Sequence, residues 1–324
     1  MKVVITGGGG FLGQQLARSL LDRGSLTGVS GRPEELDSLV LFDGVPPAAE
    51  LDDERVEVVL GDVTDRETIF SLCDRDDLSV FHMASVMSGG GEEDFDRALA
   101  VNVDGSRNVL EALRARASCP RLVFTSSVAV FGGELAKGSV GDSTKQSPET
   151  TYGCTKAIVE LLVNDYTRKG FLDGRAARLP TVIVRPGTPN RAASSFVSGV
   201  VREPFHGVDA VIPVPPSTTM AVIGYRTVVA GLVALHDFDG SKLGPDRAVE
   251  LPGLTVTAEQ LVESLHRVVR HRPLGHVTVE PDPAITSIVE AWAARTAATK
   301  ASELGLPTDP DVDTIVRAFV EDFG

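Results

Sequence analysis

The chain has 324 residues, with 31 basic against 45 acidic residues, a formal charge of −14 and 42% hydrophobic residues. Those values fit a globular protein long enough to bury a large core, and the negative field argues against a nucleic-acid partner, because phosphates are repelled at long range. Cys73, Cys119 and Cys154 are too few and too scattered for a disulfide framework or a metal knuckle. They are expected as small buried or half-buried thiols, and no metal is expected. The start of the sequence runs directly into Lys2-Val3-Val4-Ile5-Thr6 and a glycine run, with no apolar core of a signal peptide. No later stretch reaches the roughly 18–20 apolar residues of a membrane span. The expectation is a cytoplasmic protein with no membrane partner.

Short apolar runs at Lys2–Thr6, Leu39–Asp43, Val56–Leu60, Leu78–Met83, Arg121–Ser126 and Thr181–Arg185 alternate with helical patterns. This alternation predicts an α/β fold, a doubly wound parallel sheet of Rossmann type whose strands are covered on both faces. A helix is predicted over Phe11–Arg23, with Leu12, Leu16 and Leu20 on one stripe. A second spans Phe95–Arg116, with Leu99, Val103, Leu110 and Leu113 inward. A third runs from Tyr152 to about Lys169, carrying Ile158, Leu161, Leu162 and Tyr166. Prolines then crowd residues 180–216 and predict loops and turns. Further helices are predicted near Thr227–His236, from the capping box Thr257-Ala258-Glu259-Gln260 to about Arg270, over Ile285–Leu304 and over Val312–Phe323, with a strand near Val249–Leu251. Residues 1–184, with returns near 220–252, are expected to form the sheet domain. Residues 185–219 and 253–324 are expected to form a smaller, mixed C-terminal lobe.

The first strand leads into Thr6-Gly7-Gly8-Gly9-Gly10-Phe11-Leu12-Gly13, which contains Gly7-x-x-Gly10-x-x-Gly13. Between a strand and a helix start, such glycines make a dinucleotide-binding turn. Gly7 allows the tight turn, Gly10 admits a pyrophosphate to the backbone and Gly13 lets the helix pack on the strand. The N–H groups at Phe11 and Leu12 lie at the positive helix end. Asp43, closing the second strand, is placed to bind ribose hydroxyls and to repel a 2′-phosphate, which favours NAD over NADP. It stands thirty residues after Gly13, against about twenty in the usual motif, because residues 24–38 look like an inserted loop. Arg32 in that loop is the residue that would serve a 2′-phosphate. Asp62, followed by Val63, is placed either to accept a hydrogen bond from adenine or to cap the helix beginning near Asp65–Glu67.

Tyr152-Gly153-Cys154-Thr155-Lys156 sets a phenol and an ammonium four residues apart on one helix face. The ammonium favours the phenolate, which brings a phenol of ordinary pKa near 10 toward use as a base. Lys156 is also placed to bond the nicotinamide ribose. Thr125-Ser126-Ser127 ends the fifth strand, at the carboxyl edge where such sheets bind ligands. Ser127 is expected to hold the reacting oxygen, and Ser126 to cap the backbone at the strand end.

Gly7-x-x-Gly10-x-x-Gly13, Asn102-Val103-Asp104-Gly105-Ser106-Arg107-Asn108, Ser127, Tyr152-x-x-x-Lys156 and Arg185-Pro186-Gly187 together resemble the extended short-chain dehydrogenase/reductases along essentially the whole chain. The resemblance implies that Tyr152 exchanges the proton, Ser127 orients the oxygen and Lys156 serves both tyrosine and ribose. It implies that Ala84, in His82-Met83-Ala84, and Pro186 pass the cofactor, with His82 structural and Asn102 supporting the active-site backbone. It also implies a homodimer packed through helices such as 95–116 and 152–169.

Phe124 through Gly132, Arg178-Leu179-Pro180-Thr181, Arg185 through Asn190 and Arg202-Glu203-Pro204 look like the D-erythronate dehydrogenase branch. Members of that branch oxidise the 2-hydroxyl of a four-carbon sugar acid with NAD. This implies a small sugar acid as substrate, a 2-keto acid as product, and carboxylate or hydroxyl donors among Ser85, Ser88, Asn190, Arg191 and Ser194. Arg185 is expected to anchor an ion pair. Where that branch carries an arginine and a tryptophan, this chain reads Thr218-Thr219-Met220-Ala221. Two other functions remain open on the residues: a nucleotide-sugar epimerase or dehydratase that retains NAD, and a non-enzymatic redox-sensing protein.

Overall fold

A computed structural model describes every residue except Glu50 and 188–193. The chain divides into two compact units. The first comprises Met1–Ser127, Thr150–Arg178 and Gly231–Val249, and the second Val128–Glu149, Leu179–Ala230 and Glu250–Gly324.

The first unit is built on a seven-stranded sheet: β1 (Lys2–Thr6), β2 (Ser38–Asp43), β3 (Val56–Leu60), β4 (Leu78–His82), β5 (Arg121–Ser127), β6 (Asp173–Leu179) and β7 (Ala248–Glu250). Their order is β3-β2-β1-β4-β5-β6-β7. The pairs β1–β2, β1–β4, β2–β3 and β4–β5 are parallel, with Val4 opposite both Val40 and Val80. This is the doubly wound Rossmann order expected from the sequence, and it places the topological switch at the carboxyl ends of β1 and β4. The helices of this unit are α1 (Phe11–Arg23), α2 (Arg66–Leu72), α3 (Ser88–Glu93), α4 (Phe95–Leu99), α5 (Ser106–Arg114) and α6 (Thr151–Arg168). Strand residues Val4, Val40, Val80 and Leu122 share one core with Leu110 and Leu113 of α5 and Val159 and Val163 of α6.

Several local expectations need correction. Phe95–Arg116 is not one helix: α4 and α5 flank a π-helical segment, Ala100–Gly105. Leu110 and Leu113 are buried as expected, whereas Leu99 and Val103 are only half-buried. On α6 the inward face carries Lys156, Ala157, Val159, Glu160 and Val163, and Leu161 is 62% exposed. Of the expected stripe, Leu162 and Tyr166 pack half-buried against the core, and two charged residues, Lys156 and Glu160, point at the sheet beside them. Thr181–Arg185 is not a strand of the central sheet. Residues Thr181–Ile183 pair with Thr219–Gly224 in a three-stranded sheet, and β6 holds the central position. The sequence of β6 conceals it, because Arg175 and Arg178 are buried through ion pairs to Asp173 and Glu160.

The β3 strand is an edge, with Glu57, Val58 and Leu60 exposed, and is not covered on both faces. The supposed loop at 24–38 contains an antiparallel hairpin of Ser25–Thr27 and Pro33–Glu35. Cys73 is buried, but Cys119 and Cys154 are exposed, and all three are free thiols.

The second unit packs the three-stranded sheet of Thr181–Ile183, Thr219–Gly224 and Leu254–Thr257 against the helices Ser195–Phe205, Ala258–Val268 and Val312–Phe323. The Thr257–Gln260 capping box is formed as expected. Residues 285–304 do not form a single helix; Pro283–Glu290 and Thr299–Glu303 flank a strand, Arg295–Ala297, that pairs in parallel with Ser139–Gly141. Among the described residues no helix is long and apolar enough to cross a membrane.

Candidate active site

The carboxyl ends of consecutive strands gather most of the expected site residues in the first unit. After β1 comes the glycine turn. Gly7 has φ +76°, and a Cβ on Gly13 would lie 2.3 Å from the Gly7 carbonyl oxygen. The start of α1 carries neither a side-chain cap nor an acidic residue in its first turn. The positive end of a helix that starts without an acidic residue is suited to a bound anion, and the Gly10 N–H closes the turn itself, donating to Gly7 O at 3.2 Å.

Asp43 is tied to the same turn: its Oδ2 accepts the Gly9 N–H at 3.0 Å and its Oδ1 the Val45 N–H at 3.3 Å. Two residues of this cradle were not singled out from the sequence. Gly9 lies so close to Val45 that a Cβ would sit 2.3 Å from its carbonyl oxygen. Gln14 is buried and donates to Gly9 O at 2.7 Å. A polar residue on the buried face of an otherwise apolar helix was the available signal for Gln14.

Asp62, after β3, accepts from both the N–H and the hydroxyl of Thr64, at 2.9 and 2.8 Å, and these bonds hold its carboxyl below the usual range. Asp62 does not cap the following helix; Asp65 does, accepting the Glu67 and Thr68 N–H groups. The Val63 side chain lies in the core, against Gly105.

After β4, Thr6 Oγ1 receives the N–H groups of Met83 and Ala84 at 3.2 and 3.3 Å and meets His82 Nδ1 at 2.6 Å. His82 Nε2 lies 2.8 Å from Ser106 Oγ, which itself donates to Asn102 O. The network therefore assigns His82 as neutral, with its proton on Nε2. Burial and the charge of Lys156 push its pKa down to about 3. His82 is a structural hub linking β1 and β4 to the start of α5, and through Ser106 to the π-helical segment.

That segment aims Asn102 inward. Its Oδ1 accepts the Val86 N–H at 2.7 Å and the Ser85 hydroxyl at 3.1 Å, and its Nδ2 donates to Val86 O and Thr155 Oγ1, both at 3.1 Å. One side chain thus ties the loop after β4 to the residue preceding Lys156. Ser88 begins α3, and Glu92 of that helix accepts the Thr151 N–H at 2.8 Å. This carboxylate at the positive end of α6, beside the Thr150 side-chain cap, fixes the turn that carries Tyr152. Glu92 was missed because the Gly89–Gly91 run before it reads as a featureless tract.

Ser127 ends β5, and Tyr152 lies in the first turn of α6, both half-buried. Lys156 brings the two elements together: Nζ donates to Thr125 O at 2.8 Å, 4.7 Å from the Phe124 ring centre and 5.4 Å from that of Tyr152. Burial pushes the Lys156 pKa down to about 7, opposed by the charge of Glu160. Ser126 does not cap the strand backbone; its hydroxyl donates to Glu160.

Other expected residues belong to the second unit. Pro186 is half-buried beyond the strand Thr181–Ile183, and Ser194 precedes the helix Ser195–Phe205. The backbone of Arg185 is held by Ser198 and Arg202, at 3.1 and 2.7 Å. Asn190 and Arg191 lie outside the described residues. Of the divergent segment, Met220 and Ala221 are buried within the strand Thr219–Gly224.

Comparison with known proteins places this geometry in a family. The model of the NAD dependent epimerase/dehydratase family matches residues 3–214. The chain is 48% identical to D-erythronate dehydrogenase of Cupriavidus necator, covering 100% of this chain and 99% of that one. It is 40% identical to D-erythronate dehydrogenase of Haemophilus influenzae, covering 99% of each. A crystal structure described as the nucleoside-diphosphate-sugar epimerase from Agrobacterium tumefaciens superposes with a TM-score of 0.92 at 35% identity, over 100% of this chain and 94% of that one. With its glycine turn, its Tyr152–Lys156 helix and these end-to-end matches, the chain belongs to the NAD-dependent epimerase/dehydratase family, the extended short-chain dehydrogenase/reductases.

Proposed function

We propose that this protein is an NAD-dependent dehydrogenase that oxidises the 2-hydroxyl of a small, D-erythronate-like sugar acid to a 2-keto acid. Two end-to-end relatives carrying that name support the substrate class. The observation that carries the chemistry is Lys156, buried, anchored on Thr125 O and 5.4 Å from the centre of the Tyr152 ring.

The cradle of Gly7, Gly10, Phe11, Leu12 and Gly13 would hold the NAD pyrophosphate, and Asp43 the adenosine ribose. Asp62, Val63, Ala84, Lys156 and Pro186 would complete the contacts. Bound there, NAD supplies the hydride acceptor. The chain supplies the rest. Ser127 Oγ holds the reacting oxygen, and Tyr152 Oη takes its proton. Burial drives Lys156 toward its neutral form, but a phenolate at Tyr152 draws the proton back, so the two residues titrate as a pair. Asn190 and Arg191 are the proposed donors to the substrate, and Ser85, whose proton goes to Asn102 Oδ1, is proposed to accept from a substrate hydroxyl. Holding substrate and cofactor in near-attack contact contributes much of the acceleration.

The same three residues also serve epimerisation, the reading favoured by the Agrobacterium tumefaciens relative. A panel of four- to six-carbon sugar acids, assayed with NAD by the absorbance of NADH, tests the proposal. Steady NADH formation with a D-erythronate-like acid is expected. No NADH with any acid, together with interconversion of nucleotide sugars, would establish the epimerase instead. A second copy of the chain is the proposed partner, packed on α4, α5 and α6, where Phe95 and Leu161 are 57% and 62% exposed.

A further inference from the structure

Beneath Lys156 the first unit holds a buried charge cluster that the reaction scheme does not use. Glu160 lies one turn further along α6 on the same inward face, 1% exposed. Adjacent residues of β5 meet the two side chains: Thr125 O accepts from Lys156 at 2.8 Å, and the Ser126 hydroxyl donates to Glu160 Oε1. From the neighbouring strand β6, Arg178 forks onto the same carboxylate, Nε to Oε1 at 3.0 Å and Nη2 to Oε2 at 2.7 Å. A buried ion pair is a poor source of net stability, because desolvation of both charges offsets their attraction. An apolar pair would fill this space at least as stably, so its position beside the catalytic cation points to an electrostatic role.

We propose that Glu160, oriented by Ser126 and Arg178, is a positioning residue that holds Lys156 in its charged form against β5 and thereby sets the acidity of the Tyr152 phenol. The proposal rests on the reading of Tyr152 as proton acceptor. The ionisable groups facing Lys156 are Tyr152 and Glu160 from α6 and His82 from β4, which is neutral. Arg178 of β6 is bound to the Glu160 carboxylate. The adjoining β5 residues, Phe124 to Ser127, carry no ionisable side chain. Glu160 is thus the anion that opposes loss of the lysine proton, which burial favours. Removing it leaves Lys156 neutral at a lower pH, and a neutral lysine no longer stabilises the phenolate.

Ultraviolet difference titration of tyrosinate tests this without any substrate, so failure of the proposed reaction and failure of this proposal are separable. The chain has three tyrosines, and the Tyr152→Phe variant serves as the blank that isolates one. Glu160→Gln keeps the shape of the side chain and is expected to raise the Tyr152 titration midpoint by about one unit. The acidic limb of kcat should move the same way. Because Glu160→Gln leaves Arg178 without its counter-charge, the double variant Glu160→Gln/Arg178→Met provides a second background, where a smaller upward shift is expected. A role confined to stability would lower the melting temperature and leave the titration unmoved. Unshifted midpoints in cooperatively folded variants would overturn the proposal.

Discussion

A tyrosine hydroxyl ionises near pH 10 in water, so Tyr152 can take up a substrate proton near neutrality only through its surroundings. In the proposed mechanism Lys156 provides them: its ammonium is bonded to Thr125 O and lies 5.4 Å from the centre of the Tyr152 ring. Tyr152→Phe removes the proposed proton acceptor without touching the glycine cradle. Turnover is expected to fall by about 10²–10⁴-fold, with NAD affinity, read by fluorescence titration, nearly unchanged. Retained turnover would refute the proton role. In the proposed cofactor site Asp43 is the corresponding residue. Its carboxylate already faces the turn through Gly9 N–H, so Asp43→Ala should weaken NAD by about 10–100-fold and narrow the preference over NADP. Unchanged dissociation constants for both cofactors would remove Asp43 from the ribose site.

At the scale of elements, buried neutral histidines join the strands to their coverings. His82 bridges β1, β4 and the first residue of α5, Ser106, and His236 is bonded to Ser79 of β4 at 2.8 Å. Burial pushes their pKa values down to about 3 and about 4, whereas both titrate near 6.5 when unfolded. Below that pH the unfolded chain binds protons that the fold refuses, so stability is full above about 6.5 and falls as the pH drops toward the folded values. At pH 5 each histidine should subtract about 2 kcal/mol. Melting temperatures at pH 7 and pH 5 check this: His82→Asn should lose less over that interval than the parent chain. An equal loss would contradict the assignment.

The same elements explain what was legible in the sequence. Residues Lys2–Thr6, the glycine turn and Phe11–Arg23 announce themselves, because each obeys one periodicity and one steric rule. The β6 strand and the true inward face of α6 do not. Their buried positions carry Arg175, Arg178, Lys156 and Glu160, and hydropathy alone cannot see charges that are paired through space. The π-helical turn at Ala100–Gly105 was hidden for a related reason, since its purpose is one side chain, Asn102, and not an apolar stripe.

For the molecule as a whole, the exposed Phe95 and Leu161 in the first unit are the apolar residues a second copy would cover. Sedimentation of the purified protein should show a dimer, and Leu161→Glu should shift it toward monomer; identical profiles would place the contact elsewhere. The acidic surface, with a net charge of −14, slows the approach of an anionic acid, so substrate capture depends on local donors. A dehydrogenase, unlike an epimerase, releases its reduced cofactor. The direct measurement incubates a small amount of protein with D-erythronate and excess NAD, removes the protein by filtration, and quantifies NADH and keto acid in the filtrate. Many equivalents of both, in equal amounts, are predicted. NADH confined to the protein fraction at no more than one equivalent would contradict the account.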